Sequence, residues 1–201
     1  MAVLLHLAKK NSTAIILYVI QSAAISWMLV TISFEKLSIL LAMAIVSTIT
    51  VKLVVAPYFF FRLVRQHQLT FAVSTYLNMP LSVAVIALLV AIVQADVFKP
   101  LMSLAPAGES SLLVMSLATM LISFFLMINR KGALSQMLGL LSLENGIVSF
   151  ALFSGLEQNP GLQIGITFNI LIWIMIATVF ASMIFKQFGT LDVSTMTKLT
   201  D

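Results

Sequence analysis

Apolar runs, each about long enough to cross a lipid bilayer as a helix, follow one another along nearly the whole chain, with only short polar breaks between them. They lie near residues 13–33, 37–61, 70–94, 111–128, 132–155 and 163–186. A helix needs about 20 apolar residues to span the hydrocarbon layer. The spacing therefore predicts an all-α, polytopic membrane helix bundle of about six transmembrane helices. Charge supports this: only 9% of the 201 residues are charged and 61% are hydrophobic, whereas a soluble domain carries roughly a quarter charged. A transmembrane barrel would show stretches of about ten residues with alternating polarity, and the sequence has none.

The breaks are Phe34-Glu35-Lys36, Arg62 to Gln68, Asn129 to Gly132 and Glu157 to Gly161. The longest connection, Ala95 to Ser110, contains Pro100, Pro106 and Gly108. It separates a three-helix segment over 1–94 from a second over 111–186, and 187–201 remain as a short tail. Alternate connections differ in charge. Lys9, Lys10, Arg62, Arg65, Arg130, Lys131, Lys186 and Lys198 fall on one side, against Lys36 and Lys99 on the other. Basic residues stay on the cytoplasmic face during insertion, so both termini are expected there, in the cell inner membrane. The connections around Lys36, Lys99 and Glu157 are then external. The pI of about 9.6 has the same cause, since the basic residues form no patch suited to nucleic acid.

Cysteine is absent, which removes disulfides, thiol chemistry and iron–sulfur ligation. His6 and His67 fall near predicted membrane ends, a poor arrangement for haem between helices. The N-terminus does not read as a signal peptide, because the apolar run after Lys9-Lys10 is longer than such a segment needs. Met1 to Leu7 is apolar but too short to span. It is either an interfacial turn or the stub of a helix that longer relatives complete.

Two ionisable residues fall inside predicted spans, where each costs about 2.5–3.5 kcal/mol at a helix centre. Glu144 lies roughly 20 Å above the break at Lys131, and Lys52 roughly 15 Å from Arg62, at 1.5 Å per residue. Gly132, Ser135, Gly139, Ser142, Gly146 and Ser149 recur at helical spacing, a stripe of small residues that admits a neighbouring helix closely. Glu144 projects almost directly away from that stripe, with Gln136 less than a quarter-turn from Glu144. The stripe is thus expected to pack one helix, while Glu144 addresses another part of the bundle or another subunit. Glu144 could simply fix packing, or carry protons as its surroundings change. Lys52 could snorkel part of the way toward the surface along its stem or act as a charged partner in a relay. Pro57 is expected to loosen its helix and free a carbonyl, and Pro80, beside Asn78, to act similarly.

The stretch Gln136-Met137-Leu138-Gly139-Leu140-Leu141-Ser142-Leu143-Glu144-Asn145-Gly146 resembles component E of the hydrogenase-4 type. Tyr18-Val19-Ile20-Gln21-Ser22, Ile49 to Pro57 and the tail Phe188-Gly189-Thr190-Leu191-Asp192-Val193 are similar to the same family. Residues 111–186 also resemble the three-helix K-type subunit of respiratory complex I and the C-type subunit of multi-subunit cation/proton antiporters.

The resemblance implies a non-catalytic membrane subunit of an energy-converting hydrogenase or complex I-like assembly. Its partners would be antiporter-like and hydrogenase membrane-arm subunits within the lipid bilayer. Redox chemistry would reside in those partners, with no cofactor in this chain. Glu144 matches the proton-path glutamate of the second K-type helix, aided by Lys52, Gln136 and Asn169. The sequence departs from the pattern at Asn169, where K-type subunits usually carry a second carboxylate. An amide can join a hydrogen-bonded chain but cannot hold a proton. Two rival readings are a scaffold joining antiporter-like subunits to the redox arm, and a free-standing secondary transporter. Against the transporter, six short spans, one intramembrane acid and no broken helix pair make a poor substrate site.

Overall fold

With no water available in hydrocarbon, backbone groups must bond within their own segment, and the apolar runs accordingly form helices in the computed structural model. It describes residues 1–33, 38–70, 72, 74–103, 105–106, 108–154 and 160–192. In chain order the helices are α1 (Ala2–Leu7), α2 (Asn11–Ser33), α3 (Ile39–Thr50), α4 (Ala56–Gln66), α5 (Met79–Val93), α6 (Lys99–Met102), α7 (Ser110–Asn129), α8 (Ala133–Phe153) and α9 (Pro160–Phe188). A π-helical turn, Val51–Val55, joins α3 to α4, and a 3-10 turn, Asp96–Phe98, leads into α6. Among the described residues five helical stretches are long and apolar enough to cross a membrane: α2, Ile39–Gln66, α7, α8 and most of α9. A sixth span follows if α5 and the bent segment Asp96–Met102 count as one. The chain is an all-α membrane helix bundle. The breaks at Glu35, Lys36 and Glu157, and Lys198 in the tail, lie outside the described residues.

The outward faces carry large apolar side chains such as Trp27, Met43, Phe124 and Trp173, while Ile15, Tyr18, Leu29, Phe60, Leu138 and Ile174 are buried. The two halves predicted from the long connection pack on each other: α2 lies on α8, α3 on α9 and α5 on α7. The small-residue stripe of α8 packs against α7, as expected. A Cβ at Gly139 would stand 2.8 Å from Met127 Cγ and 3.2 Å from its backbone nitrogen. At Gly146 it would meet Met120 equally closely, at 2.8 and 3.1 Å. Ser142, between the glycines, and Ser149, beyond them, hydrogen-bond Ser123 and Ser116 across the interface, at 2.7 and 2.8 Å. α1 docks on α2 and α7 and buries Leu5 and His6.

The third span departs from expectation. Helix starts at Met79, not near residue 70, and its axis bends by 50° at the break after Val93. Pro80 therefore sits in the first turn of α5, where its missing N–H costs nothing, and does not kink a continuous helix. Asn78 is the cap, its Oδ1 accepting the Leu81 N–H at 3.1 Å. The expectation that no span is broken fails here. Pro57 behaves as expected. Its ring cannot accommodate the carbonyl four residues back, and the preceding turn widens, with the Ala56 N–H reaching Val51 O.

Ala72 and residues 74–78, ahead of α5, are non-helical, and their backbone groups pair with other segments at one end of the bundle. The Ala72 N–H bonds Lys9 O at 2.9 Å, the Tyr76 N–H bonds Asn129 O at 2.9 Å, and the Lys131 N–H bonds Ser74 O at 3.2 Å. α9 closes on Gly189, at a φ of +68°, a left-handed helix end that glycine adopts without strain. Leu191 beyond it is buried, and its carbonyl accepts the Ala133 N–H at 3.1 Å. Thus the connections bearing Lys9 and Lys10, Arg62 and Arg65, Arg130 and Lys131, and Lys186 share one end, where His67 also packs on Phe185 of α9.

Candidate functional site

Lys52 sits in the π turn midway along Ile39–Gln66, and Glu144 near the middle of α8. Widening at Pro57 presents the lysine to α8, where Nζ lies 3.0 Å from Glu144 Oε1. Lys52 is only 1% exposed, which rules out snorkelling. Its ammonium also donates to Asn145 Oδ1 at 2.9 Å. Asn145 in turn donates through Nδ2 to Ser22 Oγ of α2 at 2.8 Å. The surface that Glu144 addresses is therefore another part of this bundle. A turn along the same interface, Ser142 donates to Gln21 Oε1 at 2.9 Å while sharing its hydroxyl with Ser123. Tyr18, wholly buried, is close enough to Glu144 to feel its charge.

The carboxyl group is the least satisfied member. Its side chain is 18% exposed, but both oxygens are shielded, and the contact to Lys52 is an ion pair without an aligned hydrogen bond. Oε2 has no partner among the described residues. Buried oxygens of this kind call for an ion pair or a proton. Glu144 thus has two chemically accessible states, ionised against Lys52 or protonated and neutral. In the second state Asn145 still holds the ammonium.

The other two sequence candidates lie elsewhere. Gln136 is eight residues before Glu144, about 12 Å along the axis, and its Nε2 donates to Arg130 O at 2.8 Å. It belongs to the end of the bundle. Asn169 is exposed on α9. Thr167, two residues earlier, faces inward and hydrogen-bonds Thr48 of α3 at 2.6 Å, which puts Asn169 roughly 200° round the helix on the outer side. The residues that sequence reasoning does not place at this site are Asn145, Ser22, Gln21, Tyr18 and Ser142, the last read only as part of the small-residue stripe. All five are polar positions inside apolar runs, and all lie in the stretches that carry the family resemblance.

A second buried polar group occupies the end that bears the basic connections. Asn129 accepts the Leu77 N–H through Oδ1 at 2.9 Å and donates through Nδ2 to Ser82 Oγ at 2.9 Å and to His6 Nε2 at 3.1 Å. Arg130 donates through Nη2 to the carbonyls of His6 and Ala8, and the His6 ring stacks on Phe125 with centroids 4.9 Å apart. Burial, reinforced by the Arg130 charge, lowers the His6 pKa to about 4.

Comparison with family models, with characterised proteins and with solved structures finds no match to this chain.

Proposed function

We propose that the chain is a non-catalytic membrane subunit of an energy-converting hydrogenase or complex I-like assembly, and that Glu144 carries protons along a path within the membrane. The observation that supports this is the ion pair of Lys52 and Glu144 at mid-span, flanked by Asn145, Ser22 and Tyr18. A structural ion pair between helices is costly to insert and brings little net stability, whereas a carboxyl group with one unpartnered oxygen is suited to gaining and losing a proton. In this reading Lys52 stabilises the ionised form. An approaching proton neutralises Glu144 and weakens that pairing, while Asn145 retains the lysine. Redox chemistry belongs to partner subunits, among them antiporter-like and hydrogenase membrane-arm proteins. Gln136 and Asn169 take no part at Glu144, and the exposed Asn169 is available to a neighbouring subunit.

Glu144→Gln tests the carboxyl directly. Glutamine keeps size and hydrogen-bonding capacity but cannot exchange a proton. In the assembled complex it should leave subunit stoichiometry unchanged and lower proton uptake by inverted vesicles during turnover at least about tenfold, the effect expected of a missing acid–base group. Normal uptake would leave the scaffold reading, which the interlocked α7–α8 packing favours.

The proposed setting is the cell inner membrane with both termini cytoplasmic, supported by the gathering of basic connections at one end. Since the chain has no cysteine, Lys10→Cys and Asp96→Cys can be labelled one at a time in intact cells. Impermeant reagent should reach position 96 and not position 10; the reverse pattern would invert the assignment.

A further inference from the structure

α4 and α9 pack side by side, and their last turns meet where His67 stacks on Phe185. Between the two helices lies a groove of about 330 Å³, the size of the smaller ligand sites in proteins, which begin at about 300 Å³. It takes no part in the Lys52–Glu144 site. Helical spacing sets its lining. Arg62 and Gln66 of α4 are four residues apart, as are Ser182 and Lys186 of α9, so each pair shares one face of its helix. All four turn to the same space. One turn deeper the lining becomes apolar, with Phe59 on α4 and Val179 on α9. Among the described residues no acid lines the groove, and neither Arg62 nor Lys186 takes part in a salt bridge. Two cations and two neutral polar side chains thus occupy one end of a space whose other end is apolar.

A cation near the last turn of a helix complements the helix dipole, and that alone would account for one basic residue on each helix. It does not account for two cations from separate helices facing one concave space, nor for the apolar track that leaves it. Val179 is exposed, and so are Met175 and Ile172, one and two turns deeper on the same helix. A soluble anion would meet the charges and leave that track bare, whereas a lipid uses both ends. Basic pockets between spans hold lipid headgroups in this way. We propose that the groove binds an anionic phospholipid, its phosphodiester between Arg62 and Lys186 and an acyl chain along Val179 and Met175. The guanidinium can grip two phosphate oxygens side by side, and the ammonium adds a point charge. This inference stands apart from the proton-path reading, because none of its residues contributes to the Lys52–Glu144 pair.

The test is native mass spectrometry of the full chain, extracted in mild detergent and offered equal amounts of phosphatidylglycerol and phosphatidylcholine. Two basic residues beside one phosphate, at roughly fivefold for each, should leave about twentyfold more phosphatidylglycerol bound. Arg62→Gln and Lys186→Gln each change an exposed side chain and should each cut that preference about fivefold. Arg65→Gln alters an equally exposed cation of α4 outside the groove and should leave it intact. Equal retention of the two lipids by the unmodified chain, or an equal loss in Arg65→Gln, overturns the proposal. Displacement of the lipid by millimolar inorganic phosphate would also overturn it, since the site would then belong to a soluble anion. So would retention by the chain alone but not by the chain purified with partner membrane subunits, which would assign the groove to a partner.

Discussion

Lys52 and Arg130 are both buried cations, yet they are held by opposite kinds of partner. Among the described residues Lys52, at mid-span, is held by side chains, Glu144 and Asn145. Arg130, at the end of α7, is held through Nη2 by main-chain carbonyls of the α1 terminus. Depth accounts for the difference. In the middle of a span nearly every carbonyl is committed to its own helix, so a charge there must find a side-chain partner, and a full counter-charge is the strongest. At a helix end the last carbonyls have no intrahelical donor, and a guanidinium can use them. The mid-span arrangement therefore contains a group that titrates against its partner. The end arrangement ties α1 to α7 through main-chain carbonyls.

Removing each cation should break the molecule to different extents. Lys52→Met leaves the Glu144 oxygens shielded without a counter-charge and Asn145 Oδ1 without its donor. Breaking one side of a buried pair costs about 3–5 kcal/mol, so the unfolding midpoint of the full chain in mild detergent should fall clearly. Glu144→Gln, which leaves a neutral amide beside the lysine, should be the milder change. Equal stability of Lys52→Met and the unmodified chain would mean that the ion pair does not form in the membrane.

The contrast between these regions also marks what could be read from the sequence. Periodicity within α8 was enough to place the small-residue stripe against one helix and Glu144 on another surface, because both follow from angles around a single axis. It could not identify Lys52 as the partner, since that contact joins residues 92 positions apart and depends on the π turn at Pro57. The same angular logic failed for Gln136. It shares a side of the helix with Glu144 but is about 12 Å away along the axis, and its amide reaches the spare carbonyl of Arg130. Asn169 came from resemblance to a family pattern, whereas the inward face of α9 is set by Thr167, so the structure does not bring Asn169 to Glu144. The third span was misjudged because residues 70–78 are apolar enough for helix. The backbone groups of Ala72, Ser74, Tyr76 and Leu77 are instead paired with Lys9, Lys131 and Asn129, partners that hydropathy does not reveal.

Arg130→Gln should cost less than Lys52→Met. It abandons the His6 and Ala8 carbonyls, but these are neutral and close to the membrane surface, where water can reach them. A lost hydrogen bond from a charged donor is worth about 1.5–3 kcal/mol. Loss should also be local, with α1 becoming accessible to protease while the α7–α8 interface and the Lys52–Glu144 pair persist. Limited proteolysis with mass readout separates the cases. Global unfolding on loss of Arg130 would show that the end cluster supports the whole bundle, and the contrast drawn above would fail.

The mildest perturbation is acid, and it acts on the end cluster through His6. Docked, the imidazole has its pKa lowered to about 4 from 6.5, first by burial and then by the charge of Arg130. With α1 detached it regains the ordinary value, so the detached state binds the proton more readily and docking weakens as pH falls. The contribution is complete above about pH 6.5, declines as the pH passes below that value, and is lost by about pH 4. At pH 5.5 the detached imidazole is mostly protonated and the docked one is not, which weakens docking by about 1 kcal/mol. Arg130 keeps its charge throughout this window and Asn129 does not titrate, so the change belongs to His6. Hydrogen exchange over Ala2–Leu7, corrected for the intrinsic effect of pH, should accelerate roughly fivefold to tenfold between pH 7 and pH 5.5. His6→Gln removes the titrating group and should abolish that pH dependence, whatever it does to the exchange rate itself. Identical pH dependence in the variant would place the acid-sensitive group elsewhere and leave α1 held by Arg130 alone.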